Sequence, residues 1–218
     1  MAVGAREEAK RRTRQALIEA GAELFSTEGL DAPSLDAICE RAGYTRGAFY
    51  VHFADRDDFL VVVMEHVGGP ILDALLEGDE EDDLSTVAGR FVHAFADGTY
   101  PLGPGGQVKP HQLLQACARS ESVRALYVKL IGEAIARLRA TITVSQRAGT
   151  VRRDVDDDVL AAMLLALIVG AQTMVELGAP LDLAKTTSAA LTLLRGADRE
   201  SPVVHPRDLP TDRLASSP

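Results

Sequence analysis

Thr45, Arg46, Gly47, Tyr50, His52 and Arg56 lie close together in the chain, and most of them carry a hydrogen-bond donor on a flexible or planar arm. An arginine offers two parallel donors in a fixed fork, which matches the O6 and N7 acceptors of guanine in the major groove. Gly47 and Ala48 have almost no side chain and would let a helix carrying Arg46 come close to such a groove. Thr45, Tyr50 and His52 are suited to donate to phosphate oxygens, contacts that set register without reading sequence. Arg56 and the run Arg11, Arg12 and Arg14 add positive charge for phosphates. Ser34, opening the preceding helix, completes the candidate DNA-facing set.

Other chemistry finds little to build on. Ser34 and Ser120 have no histidine and aspartate in a recognisable order. Gly103–Gly106 reads GPGG and lacks the lysine and hydroxyl of a phosphate loop. His66, His93, His111 and His205 show no metal-ligand spacing. The acidic run Asp79–Asp83 reads as a solvated linker. Cys117 has no adjacent base in sequence and reads as a structural thiol. The expectation is a protein that is not an enzyme and needs no cofactor.

The elements that must carry these residues follow from capping and periodicity. A first helix is expected over 7–27, with Leu17, Ala20, Gly21, Leu24 and Phe25 on one stripe and Gly29 ending it. Ser34 caps a second helix whose apolar side is Leu35, Ile38, Cys39 and Ala42. Gly43 supplies a residue tolerant of positive φ, and Thr45 caps a short third helix. Phe49 and Phe53 share one face of it, opposite Arg46, Gly47 and Tyr50. Asp55 caps a fourth helix, with Asp57 and Asp58 favourable near its positive end.

These residues carry a resemblance. RRTRQALIEAGAELFSTEGLDAPSLDAICERAG, then YTRGAFYVHF, then ADRDDFL resemble, in order and register over about residues 10–64, the DNA-binding domain of the TetR family of bacterial transcriptional regulators. Cys39 stands where that family often has alanine, and Ala54 where it often has a polar residue, which removes one possible phosphate contact. The resemblance implies that the third helix is a recognition helix and that positions such as Tyr50 and His52 contact phosphates.

The whole chain is acidic, with a net charge of −9 over 218 residues, so it lacks the overall basic footprint of many DNA binders. The basic residues Arg6, Lys10, Arg11, Arg12 and Arg14 are gathered at the front and acidic residues dominate behind, which suits one DNA-facing end on a body that discourages non-specific binding. Two cysteines make no disulfide framework, and no apolar leader follows the start. The longest apolar run, Val159–Ala171, reads as a buried helix rather than a bilayer span. A cytoplasmic location is expected.

Behind the fourth helix, which Gly68, Gly69 and Pro70 are expected to kink or break, the pattern gives helices near 84–97, from Pro110, over 120–148, over 156–177 and over 181–194. The segment 99–110 reads as a loop, and 197–218 as a disordered tail. The architecture expected is all-α, with a helix-turn-helix domain over 7–55 and a helical regulatory and dimerisation domain over 56–196. The order of helices in the second half also resembles the TetR family's regulatory domain. A helix as apolar as 156–177 needs neighbours on all sides, and with the last helix it suits a four-helix bundle across a two-fold axis.

For a small-molecule effector, Met64, Phe91, Phe95, Leu114, Met163 and Leu167 are the expected walls, and His111, Gln115, Tyr127 and Gln172 the polar groups. A largely apolar, neutral effector follows. The sequence reading is therefore a homodimeric, ligand-responsive repressor bound to a palindromic DNA operator. The alternative is an activator or a protein-interaction adaptor built on the same helix-turn-helix.

Overall fold

The computed structural model describes residues 2–76, 82–97 and 108–195, and all side chains within them except those of residues 2, 3 and 95. These residues form α1 (Ala2–Glu28), α2 (Leu35–Ala42), α3 (Arg46–Tyr50), α4 (Arg56–Leu76), α5 (Leu84–Ala96), α6 (Pro110–Arg119), α7 (Glu121–Ala148), α8 (Asp157–Glu176) and α9 (Leu183–Leu194), with no strand among them. Residues 77–81, 98–107 and 196–218 lie outside the described residues, and with them most of the expected acidic linker Asp79–Asp83, most of the expected loop 99–110 and the expected tail 197–218.

Local chemistry sets most boundaries. Ser34 Oγ accepts from the Ala37 amide at 3.1 Å and Thr45 Oγ1 from Ala48 at 3.3 Å, each satisfying an amide that the first turn leaves free. Gly29, Gly43, Gly149 and Gly178 have positive φ, and of these Gly43 and Gly149 close helices with paired amide bonds back to the last turn. Asp55 Oδ1 accepts from the Asp58 amide at 2.8 Å, while Asp58 Oδ2 accepts from Ala54 at 3.0 Å, a reciprocal start for α4. Asp83 caps α5, its Oδ1 accepting from both the amide and the hydroxyl of Thr86 at 2.9 Å.

Part of one sequence expectation, the break in α4, fails here. Gly68, Gly69 and Pro70 do not break α4, which runs through them to Leu76. Proline removes its own amide from the ladder and crowds the carbonyl four residues back, so the helix continues at a local cost. Gly68 also lets α4 approach α7, since a β-carbon there would meet Leu130 Cδ2 at 3.0 Å. Packing against α7 holds a helix that local propensity would interrupt.

Two apolar cores result. The first joins Leu17, Ile18 and Phe25 of α1, Ile38 of α2, Phe49 and Phe53 around α3, and Phe59, Val63 and Met64 of α4. It continues without a gap to Val123 and Leu126 of α7. A boundary at residue 55 therefore passes through a shared core, because the first half of α4 belongs to both parts. The second core joins Leu75, Leu76, Leu84, Leu138, Ile142 and Leu160.

α8 is long and apolar enough to cross a membrane by length and composition, as is α4, although the apolar run from Val159 alone is shorter. The two differ in burial. α4 is a core helix, whereas α8 buries only Leu160 and Ala161 and α9 buries nothing.

Candidate nucleic-acid interface

α3, the expected recognition helix, is seated by aromatic rings. Phe49 and Phe53 are 0% and 2% exposed, and their rings lie 5.2 and 4.9 Å from that of Phe59 on α4. Phe59 in turn packs on Phe25 at 6.1 Å. Offset and edge-on contacts of this kind add about 0.5–1.5 kcal/mol per pair beyond burial. The underside of α3 is thus fixed to α1 and α4, and its opposite side is free.

That free side carries Tyr44, Arg46, Gly47, Tyr50 and Val51, all exposed. α3 ends at Tyr50, shorter than the sequence pattern suggests, and the chain turns through Val51 and His52 with the Phe49 carbonyl accepting from both His52 and Phe53. Tyr44 and Val51 were not singled out by sequence. The turn geometry exposes them, and no spacing rule would have marked Val51 as an outward residue.

Arg46 stands on this face and pairs with Asp36 of α2 at 3.1 Å. Both side chains are more than half exposed, so the pair contributes little, at most about 1 kcal/mol. His52 lies among positive groups. Burial first, and then the charges of Lys10 and Arg14, hold its imidazole below the ordinary histidine pKa. The basic start of α1 therefore adjoins the end of α3, with the Arg14 guanidinium 5.5 Å from the Phe53 ring. Arg6, Lys10, Arg11, Arg12 and Arg14 are all exposed.

Two members of the sequence set have local duties. Ser34 is engaged as the cap of α2. Arg56 turns inward. Its Nη1 donates to the Pro33 carbonyl at 2.6 Å and its Nη2 to the Leu30 carbonyl at 2.7 Å, with the guanidinium over the Phe25 ring. Burial lowers its pKa from the ordinary arginine value. The guanidinium expected at a phosphate instead clamps the α1–α2 connection, where a charged donor makes the stronger kind of hydrogen bond.

The expected effector residues do not converge. Phe91, Leu167 and Gln172 line one apolar groove between α5, α8 and α9. Met64 is 4% exposed in the first core, and Tyr127 packs against the same core, with burial raising its phenol pKa. His111, Gln115, Leu114 and Met163 are exposed, His111 pairing with Glu176 of α8. The side chain of Phe95 lies outside the described ones. Helical period places residues on a face, but which face meets which helix depends on crossing angles that sequence does not report.

α6 bridges the two halves. Gln112 Oε1 accepts from Leu30 at 3.4 Å and from Lys109 at 3.1 Å, and Arg119 pairs with Asp31 at 3.3 Å. The α1–α2 connection is therefore held from α4 and from α6.

Residues 17–63 match the family model described as bacterial regulatory proteins, tetR family. The chain is 43% identical over 53 residues to the uncharacterized HTH-type transcriptional regulator YwcC of Bacillus subtilis (strain 168), 24% of each chain. It is 25% identical over 158 residues to the HTH-type transcriptional repressor DhaR of Mycobacterium sp. (strain GP1), 72% of this chain and 79% of that one. Its fold is similar to that of a TetR-family transcriptional regulator from Cytophaga hutchinsonii, with a TM-score of 0.70, 20% identity and coverage of 87% and 98%. The match to YwcC spans about a quarter of that relative's length. With its helix-turn-helix matched in sequence and the presented face built from the same segment, residues 17–63 are similar to the DNA-binding region of the tetR family of bacterial regulatory proteins.

Proposed function

We propose that this protein is a cytoplasmic transcriptional regulator and not an enzyme, acting as a homodimeric repressor that binds a palindromic operator and is released by a small-molecule effector. The observation that carries the DNA-binding part is the recognition helix: its aromatic underside is locked to α1 and α4 while Tyr44, Arg46, Gly47 and Tyr50 stand free on its other side. Repression is supported by the likeness, over most of its length, to DhaR, which is named as a transcriptional repressor.

Dimerisation is supported by an unpartnered stripe. Val159, Met163, Leu167, Met174 and Leu177 are exposed along α8 at 42–79% of their surface. An apolar stripe of that length on a helix is a surface for another helix, and an equivalent copy supplies one with the same character. A palindromic operator requires the two copies to set their recognition helices one DNA turn apart, about 34–36 Å, or a multiple of it.

Effector binding would be transmitted along two routes. α4 runs from the second core to Phe59 beneath the recognition helix. α6 runs from the His111–Glu176 pair to Leu30 and Asp31 beside α2. A coupling of about 1–3 kcal/mol along either would suffice for regulation.

Fluorescence anisotropy on a library-selected operator tests the reading. Sequence-specific binding should weaken steeply between low and physiological salt, because phosphate contacts release counterions. Binding that is insensitive to salt, or the same for every duplex, would favour an adaptor role instead.

A further inference from the structure

The groove between α5, α8 and α9 is apolar along most of its length. Val87 and Phe91 of α5, Leu164 and Ile168 of α8, and Ala190 and Leu191 of α9 are among its walls, and no charged residue is among the described ones lining it. Three polar side chains enter it: Gln172, Thr186 and Thr187. Along their helices they stand nearest the α8–α9 connection, Gln172 late in α8 and the threonines early in α9.

The two threonines differ from the rest. Helical threonines in this chain satisfy their hydroxyls locally: Thr13, Thr27, Thr141, Thr143, Thr173 and Thr192 each donate to the carbonyl four residues back. Among the described threonines, Thr186 and Thr187 alone make no side-chain hydrogen bond, although a carbonyl lies four residues back from each, that of the N-cap Asp182 and that of Leu183. The amide of Gln172 has no partner among the described residues either. Unspent donors and acceptors at one end of an apolar groove suit a molecule that is apolar for most of its length and ends in a hydrogen-bonding group. The absence of charge on the walls selects a neutral one, since an ion would lose its hydration without a counter-charge.

We infer that this groove is the effector site, taking a neutral, apolar molecule whose hydrogen-bonding end meets Gln172, Thr186 and Thr187. The inference rests on the reading of the C-terminal helices as a regulatory domain. It moves the site away from Met64, Tyr127 and Gln115, which are buried in the first core, packed against it, or exposed elsewhere. A second copy is the other candidate occupant. The stripe through Met163 and Met174, which meets the groove at Leu167, suits a copy better, because it is apolar throughout and holds no unspent polar group.

N-phenyl-1-naphthylamine, which is neutral, has an apolar aromatic body and carries one N–H, serves as the probe with the full-length dimer. Saturable fluorescence enhancement is expected with the wild type. Ala190→Phe, which fills the groove, should weaken it at least tenfold. The paired change Thr186→Val and Thr187→Val keeps side-chain shape, removes both hydroxyls and should weaken it about three- to tenfold without lowering the thermal midpoint. No saturable signal with the wild type, or unchanged binding in both variants, overturns the proposal. Light scattering that shows Ala190→Phe to be monomeric also overturns it, since the groove would then be a subunit seam. Should Ala190→Phe fail to fold, the double valine variant decides alone. Operator affinity is followed in parallel: if the probe binds in the groove but leaves operator affinity unchanged, the site stands and its regulatory role falls.

Discussion

Phe59 on α4 lies so close to Gly21 on α1 that a β-carbon on the glycine would collide with the ring. The same ring supports Phe49 and Phe53 beneath the recognition helix. Gly21→Ala should therefore displace Phe59 and tilt α3. Overpacking of this kind costs about 1–3 kcal/mol. Denaturant unfolding should show that loss, and operator affinity should fall by more than the loss of folded protein explains. Unchanged stability would mean that α1 and α4 are further apart than this contact requires.

Arg56 and the basic start of α1 separate two roles for arginine. Arg56→Met should destabilise the fold by about 1.5–3 kcal/mol, because the Leu30 and Pro33 carbonyls lose a charged donor. The salt dependence of DNA binding should stay as it is. Arg14→Ala should do the reverse, leaving the fold nearly intact and lowering the salt slope by about one. A lowered slope for Arg56→Met would return that residue to the phosphates.

Arg46 should read a base. Arg46→Ala is expected to cost about 1–3 kcal/mol at one position of each half-site and to relax preference there. Asp36→Asn removes its exposed ion-pair partner and should tighten binding modestly, by less than about fivefold. Competition with single-base operator variants measures both. An equal loss on all variants for Arg46→Ala would make it a phosphate contact.

The seam between subunits should lie on α8. Met163→Asp places a charge in the middle of its exposed stripe, where burial against a second copy would leave that charge unpaired. Monomers are expected by light scattering at micromolar concentration, together with loss of palindrome binding. A dimer that survives Met163→Asp would place the seam elsewhere.

His52 should make the fold acid-sensitive in a particular window. Its pKa is lowered in the folded protein, by burial and by Lys10 and Arg14, so the unfolded chain takes up a proton more readily. The unfolded state then binds more protons as pH falls through the ordinary histidine value of about 6.5, and stability drops with it. His52→Gln should lose less thermal stability than the wild type between about pH 7.5 and 5.5. A phosphate beside His52 would favour its protonated form, so operator binding by the wild type should strengthen over the same interval relative to His52→Gln.

The sequence by itself determined what depends on neighbours a few residues apart. Ser34, Thr45, Ser120 and Asp55 cap helices, and Gly29, Gly43 and Gly149 end them, because each such bond is made within one turn of the chain. The order of the recognition segment, with Phe49 and Phe53 beneath Arg46 and Tyr50, was legible for the same reason. Tertiary structure alone decided the rest. Arg56 faces Leu30 and Pro33 across 26 and 23 residues of chain, and whether its arm meets those carbonyls or a phosphate depends on how α4 crosses α1. Pro70 stays helical because α7 packs against α4. Gln172, Thr186 and Thr187 share a groove with Phe91 only because α9 packs against α5. Periodicity names the apolar face of each helix, and the crossing geometry, which arises from side-chain packing over the whole core, chooses which faces meet.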